Sequence, residues 1–513
     1  MAKQNRLFKS TVIVTLIIVL SKIAGMVREM FMAAQFGQGI EKSAYGAAYS
    51  IITIFTIFFT MGISTSFIPI YTKIRLERGE KAANEYTSCV MNLYILLALL
   101  TTLLGTIFSA QLTSLVWDGT TEGFELTNQM TRLMMPSLVF WAVAGVLVNL
   151  LNARKHFVPE QLMGFALSFC VILACVLFDR IEMVAIATSI SAVMQIVILA
   201  PFLRKRFSYS LKLNLKDKDI RQTFRLAIPG FISAGFDELN AIVDTRFASA
   251  MGDHVPSVMN ESLRLGQPIL GVLIVPITTV MYTQLSGYAA KKEMGEFKKT
   301  VRTSIEIIAL ITIPIIVMGF LLQTDIVSVF LERGAYTSEA TLNTAPVFGF
   351  YIVGLIGYGL RSFLARAFYS LKKARIPMIV GIAAVGINIA LDFLLKDPLG
   401  ARGLTLATSI ASICAAAMML IVLRRNIGFM GLKKTAGQVA RILISAAVCA
   451  VFVMLLLRVL PIAGEGFLNR LARVLICGLG GLTVYGLMAM LLKVETTGKL
   501  IGMLKGKLRR KKA

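Results

Sequence analysis

The chain has 513 residues, of which 56% are hydrophobic and only 16% are charged. Apolar runs of about 18 residues or more recur from end to end, which excludes a soluble globular protein and indicates a polytopic membrane protein. The formal net charge of +25 would suit a nucleic-acid partner, but the positions of the cations, described below, speak against one.

We predict an all-α protein with about fourteen transmembrane helices. The first carries Lys3, Arg6 and Lys9 ahead of its apolar run, as a secretory signal would. No small-x-small cleavage site follows, so we expect a retained span. In chain order the predicted helices lie at 11–36, 44–70, 87–116, 130–152, 159–178, 183–203, 226–250, 258–283, 301–323, 343–368, 377–395, 402–423, 436–459 and 470–492.

Lysine and arginine alternate between successive loops. With both termini placed in the cytoplasm, about 38 of these residues fall on the cytoplasmic side and about nine on the other. This asymmetry follows the positive-inside rule and predicts an even number of spans with cytoplasmic ends. The distribution of the cations is therefore explained by membrane topology and by contact with anionic lipid headgroups, and not by binding to nucleic acid.

An internal repeat divides the chain. The stretch "LNARKHFVP" (151–159) matches "YSLKKARIP" (369–377), and "VAIATSISA" (184–192) matches "LTLATSIAS" (404–412). An offset of six helices indicates a parallel repeat, in which two lobes place a substrate site between them. We predict an N-terminal lobe at 1–222, a C-terminal lobe at 223–428, and two additional helices and a basic tail at 429–513.

Charged residues inside the first helix share one face. At 100° per residue, an arc of about 120° contains Ser21, Lys22, Gly25, Arg28 and Glu29. An ion near the middle of a membrane helix costs about 2.5–3.5 kcal/mol, so this face is expected to meet a polar cavity. Glu29 could partly offset Lys22 or Arg28, and a purely structural ion pair is the alternative.

The eighth helix repeats this arrangement. One arc carries Asn260, Glu261, Arg264, Gln267, Pro268 and Gly271. Arginines in equivalent regions of the two lobes favour an anion, because a guanidinium stays charged and donates paired hydrogen bonds to phosphate. Pro268 and Pro276 predict a kinked or loosened helix.

Oxygen-bearing side chains form a second cluster. Helix 7 has Asp237, Asn240 and Asp244, helix 11 has Asn388 and Asp392, and helix 12 has Thr408. Carboxylate, amide and hydroxyl oxygens suit a hard cation or a proton. Hydrogen bonding between helices is the structural alternative. The six cysteines have no metal-ligand spacing, and His156 and His254 are far apart in the sequence, so a metal site built on them is not expected.

The motifs "SKIAGMVREMFMAAQFG", "FIPIYTK", "LNARKHFVP" and "ARAFYSLKKARIP" followed by "GARGLTLATSI" resemble the MurJ (MviN) family of lipid II flippases in bacterial peptidoglycan synthesis. That family belongs to the multidrug/oligosaccharidyl-lipid/polysaccharide exporter superfamily. The resemblance implies a monomer in the bacterial cytoplasmic membrane that moves undecaprenyl-diphosphate carrying a disaccharide-pentapeptide to the outer leaflet.

The resemblance also implies site residues. Arg28, Glu29 and Arg264 fall on the family's cavity positions, with Lys22 where the family often has arginine. A sodium site falls on Asp244, Asn388, Asp392, Thr408 and the carbonyl of Leu404. Helices 13 and 14 would form a groove for the lipid tail. The chain departs from the family on helix 2, where hydroxyls replace an arginine and a glutamate, and at Ser43, where an acid is usual.

Two other transport functions stay open. A flippase for another polyprenyl-diphosphate-linked polysaccharide would share these features, and a cation-coupled small-molecule exporter would need no tail groove. A membrane enzyme is disfavoured, because the loops are short and contain no glycine-rich nucleotide loop, no paired-aspartate metal motif and no Ser/His or Cys/His nucleophile set. We therefore expect a transporter with no cofactor beyond a sodium ion.

Overall fold

The computed structural model describes residues 2–204, 207–214, 216–459, 464 and 466–498. Within these ranges every regular element is helical, as predicted. The helices are α1 Ala2–Phe36, α2 Ile40–Ile107, α3 Ser109–Val116, α4 Thr121–Met134, α5 Ser137–Ala153, α6 Val158–Leu177, α7 Ile181–Leu203, α8 Lys218–Met251, α9 Val255–Ile269, α10 Val275–Ala290, α11 Met294–Leu321, α12 Gln323–Leu331, α13 Ser338–Val353, α14 Leu355–Ser370, α15 Arg375–Leu399, α16 Ala401–Ile427, α17 Leu432–Val459 and α18 Phe467–Leu491.

Most of these helices are long and apolar enough to cross a membrane. Among the described residues eleven spans qualify, and the pair α4–α5, bent by 46°, makes a twelfth. The helices α1 and α8 contain 35 and 34 residues and match predicted helices 1 and 7. The observed set is thus compatible with fourteen spans, and that count stays a prediction.

The helix α2 contains predicted helix 2 and most of predicted helix 3, whose last part lies in α3. An unbroken helix of 68 residues would be about 100 Å long, far more than a bilayer needs. Gly79 interrupts it with φ 84° and ψ 179°, a conformation that a residue with a Cβ rarely adopts. The break lies in the basic segment that the sequence assigns to a loop.

Contacts divide the chain into two compact units. The first contains Met1–Asn260 together with Arg333–Tyr336, and the second contains Glu261–Glu332 and Thr337–Ala513. The two tryptophans, Trp117 and Trp141, are buried in the core of the first unit. The lobes predicted from the repeat divide the chain at 222/223, a different boundary from this division by contacts, and they stay a prediction.

The last two helices pack within the second unit. Tyr485 of α18 donates a hydrogen bond to the carbonyl of Leu310 (2.9 Å). The buried carboxylate of Glu306 accepts hydrogen bonds from Thr435 (3.1 Å) and Thr496 (3.0 Å). Helices α17 and α18 are therefore fastened to α11 by polar contacts as well as by apolar packing.

An ion pair connects the start of α18 to the residue that follows α12. Arg470 donates to Glu332 (2.7 Å), and both side chains are largely buried, with 7% and 17% of their surface exposed. Burial alone would raise the pKa of Glu332. Hydrogen bonds from three hydroxyls and the charge of Arg470 have the larger combined effect and lower this pKa. The hydroxyls belong to Ser338, Ser328 and Thr341. The carboxylate is thus held in its ionised form.

Several helices are followed by a residue with positive φ, which is glycine after some helices and lysine after others. Gly37, Gly252, Gly400 and Gly428 have positive φ after α1, α8, α15 and α16. Lysine takes this conformation after α5, α10, α14 and α18, with φ between 53° and 66°. For a residue with a Cβ the left-handed conformation costs roughly 1–2 kcal/mol, which glycine avoids.

Candidate functional site

The charged face of α1 contains a geometrically defined ion pair. Arg28 donates from Nε (3.3 Å) and Nη2 (3.0 Å) to one oxygen of Glu29. Both side chains are largely buried, with 14% and 10% of their surface exposed. Of the two partners that the sequence allowed for Glu29, the structure thus selects Arg28.

This pairing leaves part of the guanidinium available. Within the described part of the chain, Nη1 of Arg28 makes no hydrogen bond, so both Nη1 hydrogens and one Nη2 hydrogen remain for a ligand. These hydrogens lie on the edge of the guanidinium that binds a phosphate or carboxylate with two parallel bonds. Glu29 fixes the orientation of the group and leaves this edge unoccupied.

The space beside Arg28 on the same helix is open. A Cβ built on Gly25, one turn earlier, would meet no atom within 4 Å. Lys22 is exposed on the same helix and forms no ion pair with any described residue. Ser21 lies instead against α6, where a Cβ on Gly164 would overlap its hydroxyl. The face predicted to be polar thus divides into an open part and a packed part.

The hydroxyls of α2 are turned toward their own helix. Thr53, Thr56, Thr60 and Ser64 each donate to the carbonyl four residues earlier, at 2.8, 2.9, 2.8 and 3.2 Å. The three threonine hydroxyls have used their hydrogens in these bonds and keep lone pairs that can accept. Where the family often has charged residues, this chain therefore offers weak acceptors.

In the second unit, the predicted arginine of helix 8 lies on α9. Arg264 is half-buried, and Glu261, one turn earlier, is 2% exposed and accepts a hydrogen bond from Thr344 of α13 (3.2 Å). On the same helix a Cβ on Gly266 would overlap the ring of Tyr351. The helix α9 is thus packed closely against α13.

The loosening predicted for helix 8 takes the form of a π-helical turn. Leu270–Ile274 forms this turn between Pro268 at the end of α9 and Pro276 at the start of α10. A π turn inserts an extra residue into the helical ladder and is frequent at functional sites. It lies less than two helical turns after Arg264.

The oxygen cluster on α15 and α16 forms a connected chain. Asn388 donates to the hydroxyl of Thr408 (3.3 Å), and Thr408 donates to the carbonyl of Leu404 (2.9 Å). Asn388 and Asp392 are buried, at 2% and 0% exposure. These four predicted residues belong to the second unit.

The remaining predicted ligand lies in the first unit. Asp244 of α8 accepts a hydrogen bond from Asn240 (3.3 Å). Among the residues that the structure describes, no three His, Cys, Asp or Glu side chains gather as metal ligands. A cation on α15 and α16 would therefore rest on the carboxylate of Asp392 with amide, hydroxyl and carbonyl oxygens, a donor set suited to a hard ion of low charge.

Sequence patterns did not reveal two buried cations, Lys42 and Arg470, the arginine of the ion pair at the start of α18. Lys42, in the first turn of α2, is 6% exposed and lies over the ring of Tyr336 at 5.9 Å from its centre. Next to it, Ser43 accepts a hydrogen bond from the backbone N–H of Ser257 (3.1 Å). Hydropathy could not reveal Lys42, because it stands at a predicted helix end, where an exposed lysine is ordinary.

Comparison with known proteins identifies the family. A family model described as "Lipid II flippase MurJ" matches residues 32–488. A probable lipid II flippase MurJ from Thermotoga maritima is 27% identical over 482 residues, covering 93% of this chain and 94% of that protein.

Solved structures show the same fold. A lipid II flippase MurJ in an inward closed conformation matches with a TM-score of 0.79 at 22% identity, over 94% of this chain and 99% of that one. An inward-facing multidrug resistance MATE transporter of the MOP superfamily matches with a TM-score of 0.66 at 16% identity, over 82% and 99%. Because the family model covers most of the sequence, the chain belongs to the MurJ family of lipid II flippases.

Proposed function

We propose that this protein moves lipid II, the undecaprenyl-diphosphate-linked precursor of peptidoglycan, from the inner to the outer leaflet of the bacterial cytoplasmic membrane. Membership of the MurJ family and the similarity to lipid II flippases along nearly the whole chain support this function. A flippase translocates its substrate without chemical change, so no catalytic residues are assigned. Alternating access between the two leaflets is the mode of transport that we infer.

The guanidinium of Arg28 carries the proposed contact with the substrate. Its Nη1 group makes no hydrogen bond to a described residue, its orientation is set by Glu29, and the position of Gly25 leaves room on the same helix. A diphosphate needs this combination of fixed positive charge and paired donors. Lys22 adds a second charge on the same helix, and Arg264 of α9 remains the predicted second arginine for a diphosphate.

We further propose that transport is coupled to sodium or to the membrane potential. Asn388, Asp392, Thr408 and the carbonyl of Leu404 provide oxygen ligands of the kind that sodium prefers, and Asp244 remains the predicted fifth ligand. A bound sodium ion would supply a charge that responds to the gradient. Moving one charge through 100 mV is worth about 2.3 kcal/mol.

We place both termini in the cytoplasm, because the basic loops predict that side. The α17–α18 pair is our candidate groove for the polyprenyl tail, since apolar side chains such as Leu455, Leu475 and Leu479 are exposed on it. We expect a monomer that binds membrane lipids and no nucleic acid.

Reconstitution into vesicles tests the function. Purified protein is incorporated with defined lipid-linked sugars, and the appearance of substrate in the opposite leaflet is timed with and without a sodium gradient. Arg28→Ala and Arg264→Ala should each abolish flipping while inserting normally. Normal flipping by both variants would contradict the diphosphate role, and flipping of a different polyprenyl-linked sugar in preference to lipid II would contradict the substrate.

A further inference from the structure

Four lysines end helices in a conformation that normally favours glycine. Lys155, Lys292, Lys372 and Lys493, here called the cap lysines, have φ of 66°, 59°, 59° and 53°. Each lies two residues beyond the end of its helix, which is α5, α10, α14 or α18. The same residue type thus occupies the same strained position four times.

The backbone around each cap lysine forms the same hydrogen-bonded turn. The residue after the lysine donates to a carbonyl five residues back, as in His156 to Leu151 (2.9 Å) and Lys373 to Phe368 (3.0 Å). The same bond follows Lys292 and Lys493, at 2.9 and 3.0 Å. This is the Schellman motif, in which the left-handed residue is usually glycine.

The side chains of the cap lysines are not used inside the protein. All four residues are exposed. Across the described ranges none of their amino groups donates a hydrogen bond, forms an ion pair or lies over an aromatic ring. Because glycine would fit the turn without strain, the lysine charge must be favoured by something outside the protein or by the helix end itself.

The ends of other helices provide an internal comparison. Glycines with positive φ follow α1, α8, α15 and α16, which match predicted helices 1, 7, 11 and 12; they are Gly37, Gly252, Gly400 and Gly428. The cap lysines follow predicted helices 4, 8, 10 and 14. Odd-numbered and even-numbered helices end on opposite sides of the membrane, so the four lysines share one side with Gly428, and the other three glycines are on the opposite side.

We propose that the cap lysines form a set of contacts for anionic phospholipid headgroups on one leaflet. An ammonium held two residues past a helix end stands where the hydrocarbon layer gives way to lipid phosphates. The left-handed backbone stops the helix at that level and presents the amine outward. The leaflet, but not the contact itself, rests on the proposed orientation, which makes it the cytoplasmic one.

Thermal unfolding in vesicles of different charge tests the contact. The full-length protein is placed in neutral phosphatidylcholine alone or mixed with anionic phosphatidylglycerol, and the Tm is measured in each. The cap variant carries Lys→Asn at all four positions, since asparagine tolerates the left-handed conformation without the charge. The control variant carries Lys→Gln at Lys73, Lys81, Lys218 and Lys433, four exposed lysines within helices.

We expect anionic lipid to raise the Tm of the wild-type protein and of the control variant, and to leave the Tm of the cap variant unchanged. In neutral lipid the cap variant should unfold at or above the wild-type Tm. A separate Lys372→Gly variant, which only relieves the backbone, should be more stable than wild type in neutral lipid and should gain less from anionic lipid.

Two results would overturn the proposal. If the cap variant gains as much from anionic lipid as the wild type does, the helix end alone favours the charge. If the control variant loses the gain equally, diffuse charge is responsible. Labelling of a Lys372→Cys variant by a membrane-impermeant maleimide in inside-out and right-side-out vesicles tests the orientation separately, so its failure is distinguishable from failure of the lipid contact.

Discussion

Replacing Arg28 by lysine separates the shape of the guanidinium from its charge. Lysine keeps a positive charge but is a point donor on a flexible stem. In the structure Arg28 donates its Nε hydrogen and one Nη2 hydrogen to Glu29, and Nη1 makes no hydrogen bond to a described residue. A lysine that stays paired with Glu29 would have no second edge for the diphosphate.

The expected loss follows from this geometry. A hydrogen bond to a charged group contributes about 1.5–3 kcal/mol. Losing one of two parallel bonds to the diphosphate should therefore slow flipping roughly 10- to 100-fold at low substrate concentration. Arg28→Ala removes both bonds and the charge, so its loss should be larger.

The assay is the initial rate of lipid II flipping in vesicles with equal amounts of inserted protein. Arg366→Lys is a matched control, because Arg366 donates to Thr279 on α10 (3.0 Å) and has no assigned role in the anion site. The Arg366→Lys variant should flip lipid II at nearly the wild-type rate. A wild-type flipping rate for Arg28→Lys together with a large loss of rate for Arg28→Ala would refute the role of paired guanidinium hydrogen bonds. Only the positive charge of Arg28 would then matter.

Four further outcomes are expected. Gly25→Leu fills the open space on α1 and should reduce flipping severalfold, while stability stays within about 0.5 kcal/mol of wild type. Thr408→Val removes the hydroxyl between Asn388 and the backbone and should weaken sodium activation about tenfold, measured as flipping rate against sodium concentration. Arg470→Met leaves the Glu332 carboxylate without its cation and should destabilise the protein by about 3 kcal/mol in thermal unfolding. Because the pKa of Glu332 is lowered in the fold, the stability it contributes is present above its unfolded pKa of about 4.3 and is lost as pH falls through the folded value. Glu332→Gln should therefore reduce the fall of Tm in acid.

The first three of these outcomes have opposite results that would contradict them. Normal flipping by Gly25→Leu would show that the open space is not used by substrate. An unchanged sodium response in Thr408→Val would remove this hydroxyl from the cation site. For Arg470→Met, adding Glu332→Gln should restore much of the lost stability, and failure to do so would show that the packing of Arg470 matters more than its charge.

The positions of the helices could be predicted, but their ends could not. Hydropathy places the apolar part of each span, because the hydrocarbon layer accepts little else. It missed the polar extensions: α8 begins at Lys218 and α11 at Met294, several residues before the predicted 226 and 301. A helix that forms its backbone hydrogen bonds inside the membrane can extend into the headgroup region, because charged side chains are solvated there.

The sequence also predicted that the eighth helix is kinked or loosened at Pro268 and Pro276, and the π turn lies between these two prolines. It showed the alternation of charge between loops as well. Both are local properties: a proline removes a hydrogen bond wherever it stands, and a charged residue in hydrocarbon is costly on any helix. For the same reason Arg28 and Glu29 could be assigned to a polar face before any contact was known.

By itself, then, the sequence determined that the chain is built of long apolar helices, which helices carry charge, and the family to which its motifs point. Only the tertiary structure decided that Glu29 pairs with Arg28 rather than Lys22, that Ser21 packs on α6, and that Asn388, Thr408 and Leu404 form one hydrogen-bonded chain. Helical periodicity shows which residues share a face, but rotamers and the neighbouring helices determine which atoms of that face are satisfied and which remain open to a ligand.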